Sequence, residues 1–415
     1  MTKMAPASRA AWSVVALLWV VAMLNYVDRL VITTMHDPIV AELPMTEAQF
    51  GLLTSVFLWV YGLMSPLCGF LADRFSRRKV IFASLLTWST VTWMTGHVHS
   101  YTALLWTRAM MGVSEACYIP AALALIADHH RGDTRSLATG IHNSGVYFGI
   151  VVGGLGGYMA VTMGWRIGFM VLGGAGAAYS VVLIMFLQDA PVRLPADSTL
   201  PAKTVRVRAA LGALFQRRDF RLLLMVSAFV SAANWTIYGW LPTYLREHFR
   251  LGLGEAGLSA TAYVQVASFI GIVVGGAWAD RWSRTQPRAR ILVPAVGYCM
   301  AAPALYLAGA SDVLAVALGG LMLFGVGRGF YDANLMPIVR QAVDERYSAT
   351  AYGFLNAVGC VVGGGMTYAG GALRDAHIDL SVVIRAGALG LLATSLLLYV
   401  IRPRPESFAR SNEVS

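Results

Sequence analysis

The stretch Asn25-Tyr26-Val27-Asp28-Arg29 puts an amide, a phenol, a carboxylate and a guanidinium inside a run that is otherwise uncharged and mostly apolar from Trp12 to Met35. An ionised side chain at the centre of a membrane helix costs about 2.5–3.5 kcal/mol on insertion scales, and is retained where it faces a bundle interior, a partner or a watery cavity. Residues 25 to 29 therefore read as lining a transport pathway. Arg108 and Glu115 stand seven residues apart in another apolar run, two turns and about 10 Å along one helix face. That is too far for an ion pair within the helix. Each needs a partner elsewhere, and the charges at 28 and 29 are the candidates. Because adjacent helical residues diverge by about 100°, one of Asp28 and Arg29 can face a cavity while the other faces the helix of Arg108 and Glu115.

The chemistry open to this set is proton-linked anion capture. Burial favours the neutral form of a carboxyl group and a neighbouring guanidinium favours the ionised form, so one arginine contact made or broken can switch an acid between them near neutral pH. Protonation of Glu115 would free Arg29 for a substrate carboxylate, to which its planar fork is suited. Asp28 or Glu115 carries the proton in this reading, and Arg108 joins the substrate ligands; for Arg108 and Glu115 a permanent clamp between helices is the competing reading. Arg328 and Asp332, one turn apart, form either a second substrate or proton site or a self-neutralised pair. Asn143 and Asn356 can donate to and accept from hydroxyl groups, or bond between helices. Tyr61, Asn234, Trp235 and Tyr238 supply groups on which a sugar ring can stack, with packing as the alternative. His142, beside Asn143, reads as a packed polar residue.

The elements that position these residues follow from composition. Of 415 residues, 57% are hydrophobic and 13% are Asp, Glu, Lys or Arg, about half the charged fraction of a soluble domain. The chain reads as all-α integral membrane, with twelve spans near residues 11–35, 50–71, 80–97, 101–127, 137–160, 167–188, 221–243, 256–279, 291–309, 312–338, 349–371 and 382–401, each long enough for a bilayer about 30 Å thick. The net charge of +10 would suggest nucleic acid in a soluble protein; here the basic residues fall mainly in loops on the side of the two termini, which places both termini in the cytoplasm of a cell (inner) membrane. Lys3 and Arg9 ahead of an apolar run mimic a secretory signal, and are read as flanking an uncleaved first span. Cys68, Cys117, Cys299 and Cys360 lie in apolar spans without CxxC spacing, so no metal site or disulfide framework is expected. A GxxxxGK[ST] phosphate loop and a GxSxG nucleophile motif are both missing from the sequence, which argues against an enzyme, a nucleotide-driven pump and any cofactor.

An internal repeat organises the spans. Gly69-Phe70-Leu71-Ala72-Asp73-Arg74-Phe75-Ser76-Arg77-Arg78 after the second span is echoed by Gly275-Gly276-Ala277-Trp278-Ala279-Asp280-Arg281-Trp282-Ser283-Arg284 after the eighth. Glu115 precedes Pro120 in span four as Asp332 precedes Pro337 in span ten, and Asn143 in span five matches Asn356 in span eleven. Two six-span halves repeated in the same sense describe a transporter with its site between the halves. The expected division is 1–190 for the first bundle, 191–220 for a linker containing Pro191, Pro195 and Pro201, 221–401 for the second bundle and 402–415 for a tail. An interfacial helix is expected near 209–215.

These motifs, with Arg108-x-x-x-Gly112, resemble the signatures of the major facilitator superfamily over essentially the whole chain. Within it, Asn25-Tyr26-x-Asp28-Arg29, Arg108 with Glu115, and Gly140-Ile141-His142-Asn143-Ser144-Gly145 are similar to the anion:cation symporters. Spinster-type lipid transporters share the first two features. The resemblance implies a proton-coupled carrier importing a small organic anion such as a sugar acid by alternating access, a monomer whose partners are that anion, protons and the bilayer. It also implies that Asp73, Arg74, Arg77 and Arg78, with Asp280, Arg281 and Arg284, act as gate latches. A Spinster-like carrier of lysolipid and a transporter-shaped sensor are the alternatives.

Overall fold

A computed structural model describes residues 9–130, 134–189, 212, 214–344 and 347–402. Among these residues the chain is helical throughout, with no strand. The twelve expected spans all coincide with helices. Among the described residues, ten helical stretches are long and apolar enough to cross a membrane. The other two are α4 (Arg77–Thr95) and α14 (Ser348–Asp375), which are rich in hydroxyl groups and in glycine respectively. Most of the expected linker, the Arg206 and Arg208 within it and the tail after 402 lie outside the described residues.

The first span is not one helix. It runs as α1 (Arg9–Leu30), tightens into a 3-10 turn over Val31–Met35, and resumes as α2 (His36–Glu42). Pro38 has no N–H to donate to the carbonyl of Thr34, and it sits in the first turn of α2, just after the break, where proline fits without losing a helical bond. Thr33 and Thr34 turn their hydroxyls onto the carbonyls of Leu30 and Val31, each at 2.8 Å, replacing bonds that the turn gives up.

Helix α3 (Glu47–Arg74) opens on a capping box, with Thr46 Oγ1 accepting from Gln49 N and the Gln49 side chain accepting from Thr46 N. Span four breaks directly after Glu115, giving α5 (Tyr101–Glu115) and α6 (Tyr118–His129). Pro120 again lies one turn beyond the break. Span five divides into α7 (Arg135–Gly153) and α8 (Gly156–Met163), and α9 (Trp165–Phe186) completes the first half. The second half comprises α10 (Arg218–Phe249), α11 (Leu253–Trp282), α12 (Ala289–Ala310), α13 (Leu314–Ala342), α14 and α15 (Leu380–Val400). Its tenth and eleventh spans are continuous, although Pro337 matches Pro120.

The chain divides into two compact units. One holds Met1–Pro191, Ile237–Gln265 and Gly364–Ile378; the other holds Val192–Thr236, Val266–Gly363 and Asp379–Ser415. The first has a buried core of Val14, Leu18, Trp88, Tyr118, Leu125 and their neighbours, drawn from α1, α4, α6, α7 and α9. This core fixes α1 against α6, and so fixes residues 25 to 29 against the end of α5.

Candidate functional site

Glu115 ends α5, so its side chain projects from the broken span toward α1. There it meets Arg29, with Nε 2.7 Å from Oε2, both side chains essentially buried. Asn25, one turn before Arg29, donates from Nδ2 to the same oxygen at 2.9 Å. The guanidinium lies against the faces of Tyr61, Tyr26 and Phe57, at 4.4, 4.8 and 5.2 Å from the ring centroids. Such faces attract a cation, so the charge is held by three rings and one carboxylate. Arg29 Nη2, Glu115 Oε1 and Asn25 Oδ1 remain buried without a hydrogen-bond partner. One orphaned donor and two orphaned acceptors buried together are costly, and in chemical terms Arg29 Nη2 can donate to an anion and Glu115 Oε1 can take a proton.

Asp28 turns the other way, as the angular argument requires. It is buried near Thr92 of α4, while Arg29 takes the contact with Glu115.

Arg108 carries two readings, substrate ligand and clamp between helices. It is fully buried, and its guanidinium donates to the carbonyls of Asp28 at 3.2 Å, Arg29 at 3.4 Å and Leu53 at 3.4 Å, with the Met111 sulfur at 3.3 Å. The carbonyls of Asp28 and Arg29 are those that lose regular helical partners where α1 tightens, and a cation there satisfies them. Of the two readings of Arg108 this geometry suits the clamp, because all three guanidinium nitrogens are engaged by the end of α1 and by Leu53 of α3. Sequence reasoning could not separate these roles, because both require a buried arginine at that place.

The remaining residues of the first unit are more dispersed. Tyr61 is buried. Asn143 is exposed, and its carbonyl oxygen lies 3.3 Å from His142 Nδ1. His142 Nε2 lies 2.8 Å from the Tyr118 hydroxyl, which itself donates to the Leu18 carbonyl at 2.7 Å. His142 is therefore a packed polar residue between α6, α7 and α1. Tyr238 is buried, and its hydroxyl accepts from Gln265 Nε2 at 3.1 Å.

In the second unit, Arg328 Nε and Asp332 Oδ2 are 3.4 Å apart within one turn. Trp235 packs its indole against Gly363; Asn234 is half-buried and Asn356 exposed.

The gate motifs are seen partly. Arg77 pairs with Asp128 and donates to the Ala124 carbonyl at 3.0 Å. Arg78 bonds the Ile184 carbonyl, and its backbone N–H donates to Asp189 Oδ1 at 2.9 Å. Asp280 pairs with Arg290 at 2.7 Å. Arg74, Arg281 and Arg284 are exposed, and the side chain of Asp73 lies outside the described residues.

Sequence reasoning left several participants unassigned. Asn25 was legible, being one turn from Arg29 on the same face. Phe57 and Tyr26 had no signal beyond being aromatic, and Gln265 none beyond being polar in an apolar run. Asp189, whose carboxylate also accepts from Ser76 Oγ at 2.5 Å, caps the start of α4 from the far end of α9, a pairing that only the fold reveals.

The chain is 28% identical over 399 residues to a protein of Mycolicibacterium smegmatis named "MFS-type efflux pump", covering 94% of this chain and 91% of that one. It is 28% identical over 349 residues to an Escherichia coli protein named "Probable L-galactonate transporter", covering 80% and 76%. Among solved structures it resembles a bacterial homolog of the human lysosomal transporter Spinster in an inward-facing, unoccupied conformation, with a TM-score of 0.77 at 22% identity over 95% of this chain and 96% of that one. The family model of the Major Facilitator Superfamily matches residues 18–367, and the chain belongs to that superfamily of membrane transporters.

Proposed function

We propose that the protein is a proton-coupled carrier that imports a small organic anion, a sugar acid of the hexonate or hexuronate kind, across the inner membrane, with both termini in the cytoplasm. The observation that carries this reading is the buried Arg29–Glu115 contact with one unpartnered guanidinium nitrogen, Nη2, and one unpartnered carboxylate oxygen. Protonating Glu115 removes the charge that engages Arg29. The guanidinium can then turn its fork to a substrate carboxylate, so proton and anion favour each other's binding. Asn25 holds the shared oxygen of Glu115 and keeps the acid within reach of Arg29 in either state. Tyr61 forms one wall and Asp28 is a further proton acceptor. In the second unit Arg328, Asp332, Asn234, Trp235 and Asn356 are the proposed contributors, as are Tyr238 and Asn143 in the first. The name of the Escherichia coli relative supports the substrate class.

Two observations favour rival readings. The name of the Mycolicibacterium relative favours outward transport, and the aromatic wall around Arg29 suits an amphiphile. Uptake into proteoliposomes under an imposed pH gradient decides among the three. A sugar acid should accumulate with the proton gradient, while neutral sugars and lysolipids should not. Acceleration of lysolipid alone, or expulsion of the anion against the gradient, would reject the proposal.

A further inference from the structure

Around the start of α2, charged side chains from four helices of the first unit interlock. His36 lies with Nδ1 2.7 Å from Asp37 Oδ1 and Nε2 2.9 Å from Glu47 Oε2. Its ring is 8% exposed and is covered edge-on by Phe50, at 4.5 Å between centroids, and by Trp240, at 6.2 Å. Arg374, at the end of α14, approaches Glu47 Oε2 with Nε at 3.1 Å and grips Glu247 of α10 through both terminal nitrogens, at 2.7 and 2.9 Å. Arg246 of α10 pairs with Asp37. Asp375 accepts from the backbone N–H groups of Glu47 and Ala48, each at 2.9 Å, capping α3 from α14. The backbones are equally close: a Cβ on Gly371 would lie 2.1 Å from the Glu47 carbonyl oxygen.

A neutral imidazole has one N–H and one lone pair, and a carboxylate only accepts. Both ring nitrogens of His36 face carboxylate oxygens at hydrogen-bond distance, so this arrangement is satisfied only when it contains a proton beyond those of a neutral ring and two ionised acids. We propose that these residues form a proton-dependent latch, in which a protonated His36 between Asp37 and Glu47 holds together the ends of α2, α3, α10 and α14. When that proton leaves, a lone pair faces a carboxylate and the balance among the facing groups shifts. These groups are Asp37 from α2, Glu47 from α3, Arg246 and Glu247 from α10, and Arg374 and Asp375 from α14. Alkaline conditions therefore favour parting of these helix ends, and acid favours closure. The latch is independent of which solute or ion the carrier moves, because it shares no residue with the Arg29–Glu115 contact.

The test is a distance measurement by pulsed electron resonance between spin labels at Ala41→Cys and Ala376→Cys, both exposed positions outside the network. It uses the full chain in lipid nanodiscs without substrate, with the native cysteines replaced by alanine. From pH 5.5 to 9 the population with parted ends should rise, with a steepness of at most about tenfold per pH unit for one proton. His36→Gln should flatten that response, and Glu47→Gln, whose amide can donate to a neutral ring, should keep the ends together at pH 9. The response should persist in Glu115→Gln, which separates it from the carrier's own proton site. A native response that is flat, a His36→Gln response as steep as the native one, or a Glu47→Gln chain that parts at the native pH would each overturn the proposal.

Discussion

Arg29 and Glu115 touch through one contact, Nε to Oε2 at 2.7 Å, with Nη2 of the arginine and Oε1 of the acid left unpartnered. A structural salt bridge buried this deeply is expected to engage both ends of the fork, because the desolvation of two charges is recovered only with good geometry and full hydrogen bonding. A half-used pair is better suited to exchange.

Glu115→Gln should retain the shape of the site while removing its titration. Accumulation driven by a pH gradient is expected to disappear, and counterflow of preloaded substrate to survive within a few-fold of the native rate. Measuring both in the same vesicles checks this, and loss of both would mean that Glu115 is a clamp.

Arg29→Lys keeps the charge and loses the planar fork. The expected result is a rise in KM of at least about tenfold, since each 1.4 kcal/mol of lost binding is tenfold. Transport kinetics over substrate concentration read it out; an unchanged KM would remove Arg29 from the substrate ligands.

Arg108→Ala should act on stability before it acts on binding. The carbonyls of Asp28 and Arg29 would lose a buried donor, at about 1–3 kcal/mol for each group left unsatisfied. Thermal unfolding in detergent should show a lower midpoint than in the native protein, with Arg108→Lys partly restoring it. A native melting temperature combined with a raised KM would return Arg108 to the substrate set.

Arg328 and Asp332 invite a double-mutant cycle. If the 3.4 Å pair is chiefly self-neutralising, Arg328→Gln and Asp332→Asn together should be milder in transport rate than either alone. Additive losses would instead indicate separate roles in substrate and proton handling.

Much of this was legible before any coordinates. The partners of span one and span four follow from two facts in the sequence: Arg108 and Glu115 are too far apart to pair, and Asp28 and Arg29 cannot both face the same way. What could not be read was which donor serves which acceptor. The ligand and clamp readings of Arg108 look alike in the sequence, because nothing in its neighbours announces that α1 breaks beside it. Thr33, Thr34 and Pro38 flank that break. The repeat also misled by symmetry. Glu115 and Asp332 each stand five residues before a proline, yet span four breaks after the acid and α13 runs through. The tertiary contacts differ as well: Arg29 and Asn25 hold Glu115, and Tyr118 bonds the Leu18 carbonyl, none of which local pattern encodes. The His36 network was out of reach for a related reason, since its members come from four separated segments.

The most direct measurement of the central claim is the dissociation constant of a transported sugar acid as a function of pH, by calorimetry, in the native protein and in Glu115→Gln. If proton and anion take turns at Arg29, native affinity tightens as pH falls through the titration of Glu115, by up to about tenfold per unit, and Glu115→Gln binds tightly with no slope over the same range. A native affinity that ignores pH, or a Glu115→Gln chain that keeps the native slope, would contradict the account.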